Sequence, residues 1–360
     1  MIGLPGHDLL HQTPLSFLVT HWKRTQRNVS TKGNLSMTSP DTANANAPDQ
    51  SRLAHFPVSF FTISMGVFGL SLAFRASGFD GPSVVFGAVA IAILITCFVA
   101  LALKALLHPA ALKTEWAHPV KIAFFPAASV SLLLMATFLQ DYSLSLATGI
   151  WLIGAAAQGI LTVVVISAWI GHRAFGPGHL SPAWFIPAVG NVAAPLGGVP
   201  LGFVELSWYF FATGVLFWLV LLTLIFNRLI FHDPLPGKLK PTIVILIAPP
   251  ALAFTAWVQF HGGVVDAPAH ILINLGYFFT ALVAVQLPAL LRLPFALSFW
   301  ALSFPLAAIT IASFRFADLV GSTTHLAAAW VLLVALTITI FVLAARTLRA
   351  GLADELFQPD

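Results

Sequence analysis

The chain has 360 residues, 58% apolar and 8% charged, with a formal net charge of +4 and a mean hydropathy of +0.91. That balance excludes a soluble globular fold and identifies an integral membrane protein. The bilayer is its first partner, and neither a cofactor nor a nucleic-acid partner is expected. The one cysteine, Cys97, permits no intrachain disulfide and reads as a small packing residue.

Residues 1–52 differ in kind from the rest. Lys23, Arg24, Arg27 and Lys32 precede a Ser/Asn/Asp/Pro-rich run from Ser39 to Ser51 with almost nothing to bury, which predicts disorder. Leu15–Val19 is too short an apolar run for a secretory signal. Met37 is a candidate start, which would make residues 1–36 an upstream extension. Beyond the tail, apolar runs predict ten helical spans: 56–77, 83–107, 123–140, 144–171, 184–199, 203–230, 241–260, 268–291, 296–316 and 323–348. The expected organisation is a disordered cytoplasmic tail (1–52), a ten-helix transmembrane channel domain (53–348) and a short cytoplasmic C-terminal tail (349–360). Loops are short, and no Walker-type phosphate loop is present, so ATP-driven transport within this chain is not expected.

Lys and Arg decide the orientation. One side of the ten spans collects Arg52 and the tail, Lys104, Lys113, Lys121, Arg173, Arg228, Lys238, Lys240, Arg292, Arg346 and Arg349; the other collects only Arg75 and Arg315. By the positive-inside rule both termini are cytoplasmic, in a multi-pass protein of the cell inner (plasma) membrane. Each external loop carries one acid, Asp80, Asp141, Glu205, Asp266 or Asp318, read as a solvated loop residue.

Proline organises the spans. Pro57, Pro126, Pro187, Pro249 and Pro305 fall in spans one, three, five, seven and nine, in similar strings such as Phe124-Phe125-Pro126, Phe185-Ile186-Pro187 and Ser303-Phe304-Pro305. Their separations of 69, 61, 62 and 56 residues match one membrane hairpin, so the chain reads as five tandem hairpins. Proline lacks the N–H that a helix interior needs and crowds the i−4 carbonyl, so these prolines are expected to kink the odd spans. Freed carbonyls are tolerated only away from lipid. The expected fold is therefore all-α, with an inner ring of kinked odd helices around a pore and an outer ring of even helices. Gly66, Gly69, Gly190, Gly197 and Gly198 read mainly as close-packing residues of spans one and five.

Ionisable residues are nearly absent from mid-span. Lys104 and Glu205 lie near span ends, where a lysine snorkels to the interface. Proton relays and acidic cation sites are disfavoured. Weak holding of an ion by hydroxyls such as Thr62, Ser64, Ser129 and Ser303 is expected, and the cytoplasmic basic excess points to a small anion. Phe304, directly before Pro305 of an inner span, is placed to block a narrow apolar pore by constriction and dewetting; Phe125, in the matching place of span three, is a second candidate. No cluster of His, Cys, Asp and Glu stands at metal-ligand spacing and no nucleophile is paired with a base, so no enzyme is expected.

Three stretches, Ser298–Pro305, His118–Pro126 and Phe56-Pro57-Val58-Ser59 leading to Gly66 and Gly69, resemble the tellurite-resistance/dicarboxylate transporter family. That family includes bacterial TehA and the slow-type anion channels of plant guard cells, and the likeness runs from about Leu53 to Leu348. The resemblance implies a homotrimer with one pore per subunit, five kinked inner helices within five outer ones, and a pore-occluding phenylalanine of the ninth helix that matches Phe304. A second pore phenylalanine in the third helix matches Phe124 or Phe125. Two functions follow from it: a gated passive channel for small monovalent anions such as chloride or nitrate, or a proton-coupled secondary transporter exporting sulfite, tellurite-related oxyanions or four-carbon dicarboxylates. The scarcity of buried acids, histidines and mid-span Arg or Lys favours the channel.

Overall fold

The computed structural model describes residues 51–171, 175–353 and 356, and every regular element among them is helical. The tail expected over 1–52 lies outside these residues apart from Ser51 and Arg52. In chain order the α-helices begin with α1 (Phe61–Ala76), α2 (Asp80–Leu107), α3 (Pro109–Ala117), α4 (Pro126–Leu139), α5 (Leu144–Ile170) and α6 (Phe185–Val189). They continue with α7 (Ala194–Gly198), α8 (Val204–Phe231), α9 (Ala248–Phe260), α10 (Ala267–Leu291), α11 (Ser303–Val320) and α12 (Thr323–Leu352). Arg349–Leu352, expected in the C-terminal tail, thus complete the last helix.

Nine of the described segments are long and apolar enough to cross a membrane. Over an 18-residue apolar stretch of each, the four containing α1, α4, α9 and α11 are 78% buried, whereas α2, α5, α8, α10 and α12 are only 22% to 33% buried. The fifth expected span is not a regular helix. Residues 182–198 run as a 3₁₀ turn, α6, a second 3₁₀ stretch and α7, almost all buried. The buried segments touch in a closed order: α1 on α4, α4 on the α6–α7 run, that run on α9, α9 on α11, and α11 back on α1. Each also packs against the long helix that follows it in the chain. An inner ring is therefore wrapped by apolar helices whose exposed faces suit lipid.

The prolines differ from the expected mid-span bends. Inner segments begin as 3₁₀ helices at Val58–Phe60, Lys121–Phe124, Pro182–Trp184, Lys240–Ile247 and Leu297–Leu302, and then switch to α. Pro126, Pro187, Pro249 and Pro305 all sit within the first three residues of the α part. There a backbone N–H has no partner inside the α-helix, so a proline sacrifices nothing. Pro57 stands outside any helix, with extended backbone at φ −84° and ψ 139°, and bends nothing.

Small residues decide how close the ring packs. A Cβ at Gly66 would lie 2.0 Å from Ser303 Oγ and one at Gly69 2.6 Å from Ala307 Cβ, so α1 and α11 meet where α1 has no side chains. Gly198 likewise admits the Trp151 ring, which a Cβ would meet at 2.4 Å. The irregular fifth segment leaves the Pro187 carbonyl free, and three donors fill it: Thr162 Oγ1 at 2.8 Å, Gln158 Nε2 at 3.2 Å and Asn191 Nδ2 at 3.3 Å. Gln158 Oε1 accepts in turn from Ser129 Oγ at 2.6 Å.

Lys104 corrects the expectation of snorkelling. It is 2% exposed, its Nζ lying 2.6 Å from Glu115 Oε2 and donating to Phe56 O at 2.7 Å, while Glu115 Oε1 accepts the Val58 N–H at 2.8 Å. The pair ties α2 and α3 to the first turn of the inner ring. At the opposite end, Asp266 caps α10 by accepting the Ala269 N–H and the Trp257 indole N–H. The Ala269 N–H above all holds its carboxyl below the ordinary range.

Breaking the buried pair with Glu115→Ala leaves a lysine uncompensated and should cost roughly 3–5 kcal/mol. Lys104→Met/Glu115→Leu should recover most of that loss, as read by thermal unfolding of the detergent-solubilised protein. Asp266→Ala should lower the melting temperature at neutral pH. The cap's contribution is complete above the ordinary carboxylate pKa and fades as pH falls through the lowered folded value, so mutant and parent should converge in acid.

Candidate functional site

Residues facing the middle of the ring recur at helical spacing. On the ninth segment they are Ala301, Phe304, Pro305, Ala308, Ile311 and Arg315; on α9, Ala248, Pro249, Leu252, Thr255 and Gln259. Intervals of three and four place each set on one stripe. Thr62, Met65, Leu72 and Arg75 do the same for α1.

These stripes enclose two cavities, each bordered by all five inner segments. The larger is a vestibule of about 920 Å³, with Arg75, Gln140, Gln259 and Arg315 around it and Leu72, Leu196 and Ile311 also on its wall. The smaller is a chamber of about 40 Å³ bordered by Met65, Val130, Phe185, Ile186, Ala248 and Phe304, among others. It has room for a few waters at most. Its one side-chain hydroxyl, Thr62 Oγ1, already donates to Ser59 O at 2.6 Å. An apolar space of that kind stays dry, and an ion entering it would shed hydration without replacement.

Charge is confined to the vestibule. Arg75 Nη1 lies 2.6 Å from Asp141 Oδ2 and donates to Thr137 O at 3.1 Å, whereas Arg315 stands 3.7 Å from Asp318 and is more exposed. Asp141, and Asp318 in the last turns of α11, thus stand beside the two arginines of their own side while remaining solvent-exposed. Gln140 and Gln259 brace the end of the fifth segment, donating to Gly197 O at 3.0 Å and Leu196 O at 3.5 Å.

The expected site residues separate. Phe304 borders the chamber with its ring against Gly69, whose Cβ position lies 3.5 Å from Phe304 Cδ2. Phe124 is buried in the core and borders neither cavity, and half-buried Phe125 turns edge-on to Trp116, ring centroids 4.7 Å apart. Of the prolines, Pro249 and Pro305 border the chamber; Pro57, Pro126 and Pro187 border neither cavity. The hydroxyls expected to face an ion mostly do not. Ser64 bonds Phe61 O and Ser131, Ser129 bonds Pro126 O and Gln158, and Ser303 bonds Trp300 O.

Phe185 was missed. It borders the chamber beside Ile186. The signal lay in the string Phe185-Ile186-Pro187, where the aromatic stands two residues before the proline instead of one. Among the described residues, no group of three or more His, Cys, Asp and Glu side chains is arranged to hold a metal ion.

Comparison with known proteins agrees with this architecture. The family model described as SLAC1, voltage-dependent anion channel, matches residues 55–348. Among curated proteins, the S-type anion channel SLAH3 of Arabidopsis thaliana is 26% identical over 86% of this chain and 50% of its own length. The tellurite resistance protein TehA homolog of Haemophilus influenzae is 24% identical over 70% of this chain and 79% of its own. An uncharacterized transporter of Methanocaldococcus jannaschii, MJ0576, is 26% identical over 54% and 63%. The chain spans about half the length of the plant channels SLAH3 and SLAH2.

Proposed function

We propose a function from one premise: this chain belongs to the voltage-dependent anion channel family, which it matches over residues 55–348. It is a gated, passive channel for small monovalent anions such as chloride or nitrate, held closed by Phe304. The observation that carries this reading is the ring of inner segments around an open vestibule and a small apolar chamber bordered by Phe304. A phenyl ring there keeps the narrowest stretch dry, and a dry constriction stops ions without a rigid wall.

The chain crosses the membrane ten times as five tandem hairpins, the irregular run at 182–198 completing the inner ring. The end bearing Lys104, Arg228, Arg292 and Arg346 is cytoplasmic, which puts both termini inside and the vestibule outside, in the plasma membrane. Three copies assemble, each with its own path, as the family resemblance implies. Arg75 and Arg315 at the outer mouth favour anions over cations locally, although Asp141 and Asp318 keep the net field small.

The passive reading rests on the chemistry of the lumen. A proton-coupled exporter of sulfite, tellurite-related oxyanions or dicarboxylates would need a titratable group facing the chamber, and every residue bordering it is uncharged. The buried ion pair Lys104–Glu115 borders neither cavity.

In planar bilayers, Phe304→Ala should raise anion current by about tenfold or more, the factor given by each 1.4 kcal/mol removed from a barrier. An unchanged current from a correctly folded mutant would remove Phe304 from the gate. In liposomes, reversal potentials should follow the anion gradient and stay fixed when only a proton gradient is imposed; movement with pH would favour the carrier.

A further inference from the structure

Among the residues bordering the two cavities, Leu252 alone borders both. It is 5% exposed and lies on the inward stripe of α9, one turn beyond Pro249, which borders only the chamber, and one turn before Thr255, which borders only the vestibule. Phe304 borders the chamber only. Between Met65 in the chamber and Leu72 in the vestibule, α1 turns Gly69 against Ala307 of α11, and one turn beyond Phe304 the vestibule wall of α11 is the small Ala308. Leu252 is thus the residue whose side chain stands on the walls of both spaces.

We propose that Leu252 is a second apolar seal, in series with Phe304, dividing the vestibule from the chamber. This rests on the reading of the two cavities as one anion path. An ion entering from the vestibule meets Leu252 first and the Phe304 ring beyond it, so displacing either side chain alone leaves the other barrier standing. Removing Phe304 enlarges the chamber but leaves its outer partition; removing Leu252 joins the chamber to the vestibule.

The test uses the full chain in liposomes, in a Cys97→Ser background, with Ala301→Cys placing a thiol on the chamber wall. A small anionic methanethiosulfonate reagent is applied to the vestibule side. Modification should be slow in the parent, rise about tenfold with Leu252→Ala, as a barrier lowered by about 1.4 kcal/mol allows, and rise far less with Phe304→Ala alone. Anion current in the Leu252→Ala/Phe304→Ala double variant should exceed the product of the two single gains. Leu252→Phe keeps the test decisive should Leu252→Ala fail to fold: in the Phe304→Ala background it should slow modification and cut the current.

The proposal falls if Phe304→Ala alone makes the thiol as reactive as the double variant does, or if changes at Leu252 leave the rate unmoved in both Phe304 backgrounds. Modification that follows the expected order in variants that carry no anion current would overturn the conduction reading and keep the partition. Current through Phe304→Ala that ignores Leu252 would do the reverse.

Discussion

Every backbone carbonyl freed inside an apolar bundle needs a donor, because no water is at hand to supply one. The inner ring is built of segments that free carbonyls, since 3₁₀ and α stretches are spliced within each. The outer helices make that tolerable. Gln158 and Thr162 of α5 reach the Pro187 carbonyl together with Asn191 of the fifth segment itself, and Trp151 donates its indole N–H to Ala194 O at 2.9 Å, in the same segment. An outer helix in this fold is therefore both a lipid-facing wall and the source of donors for an irregular neighbour.

The same economy explains the glycines and the aromatic beside them. Gly66 and Gly69 let α1 and α11 approach until Ser303 and Ala307 lie where α1 side chains would stand, with the Phe304 ring in contact beside Gly69. The same close approach sets the chamber wall, which Phe304, Phe185 and several aliphatic side chains border. At the base, the Lys104–Glu115 pair fixes the start of the ring through Phe56 O and the Val58 N–H. Arg75 links the ends of α1 and α4 through Thr137 O and Asp141.

Much of this could be read from the sequence, and the failures have physical causes. Hydropathy identifies the membrane class, and the recurrence of proline in alternate spans picks out the segments that are buried. What proline does there was not legible, because a proline in a first turn and one in a helix body look alike without the hydrogen-bond register. Position next to a proline was a partial guide to facing: Ile186, Ala248 and Phe304 border the chamber, but Phe125, in the same place, packs on Trp116 of a helix about ten residues upstream. The serines misled for a related reason. A hydroxyl in an apolar segment bonds its own backbone as readily as it would face an ion, and Ser64, Ser129 and Ser303 do so. Lys104 lay close enough to a span end to suggest the interface, and only the fold brings Glu115 beneath it.

The eight-residue 3₁₀ opening of the seventh segment, Lys240–Ile247, also alters its reach. At about 2.0 Å per residue there and about 1.5 Å along α9, the 21 residues from Lys240 to Phe260 extend roughly 35 Å, against about 31 Å for an uninterrupted α-helix. That brings the segment close to the roughly 37 Å of its 25-residue neighbour α10. A stretched opening turn thus brings a shorter inner strut nearer the reach of the longer post outside it without extra chain.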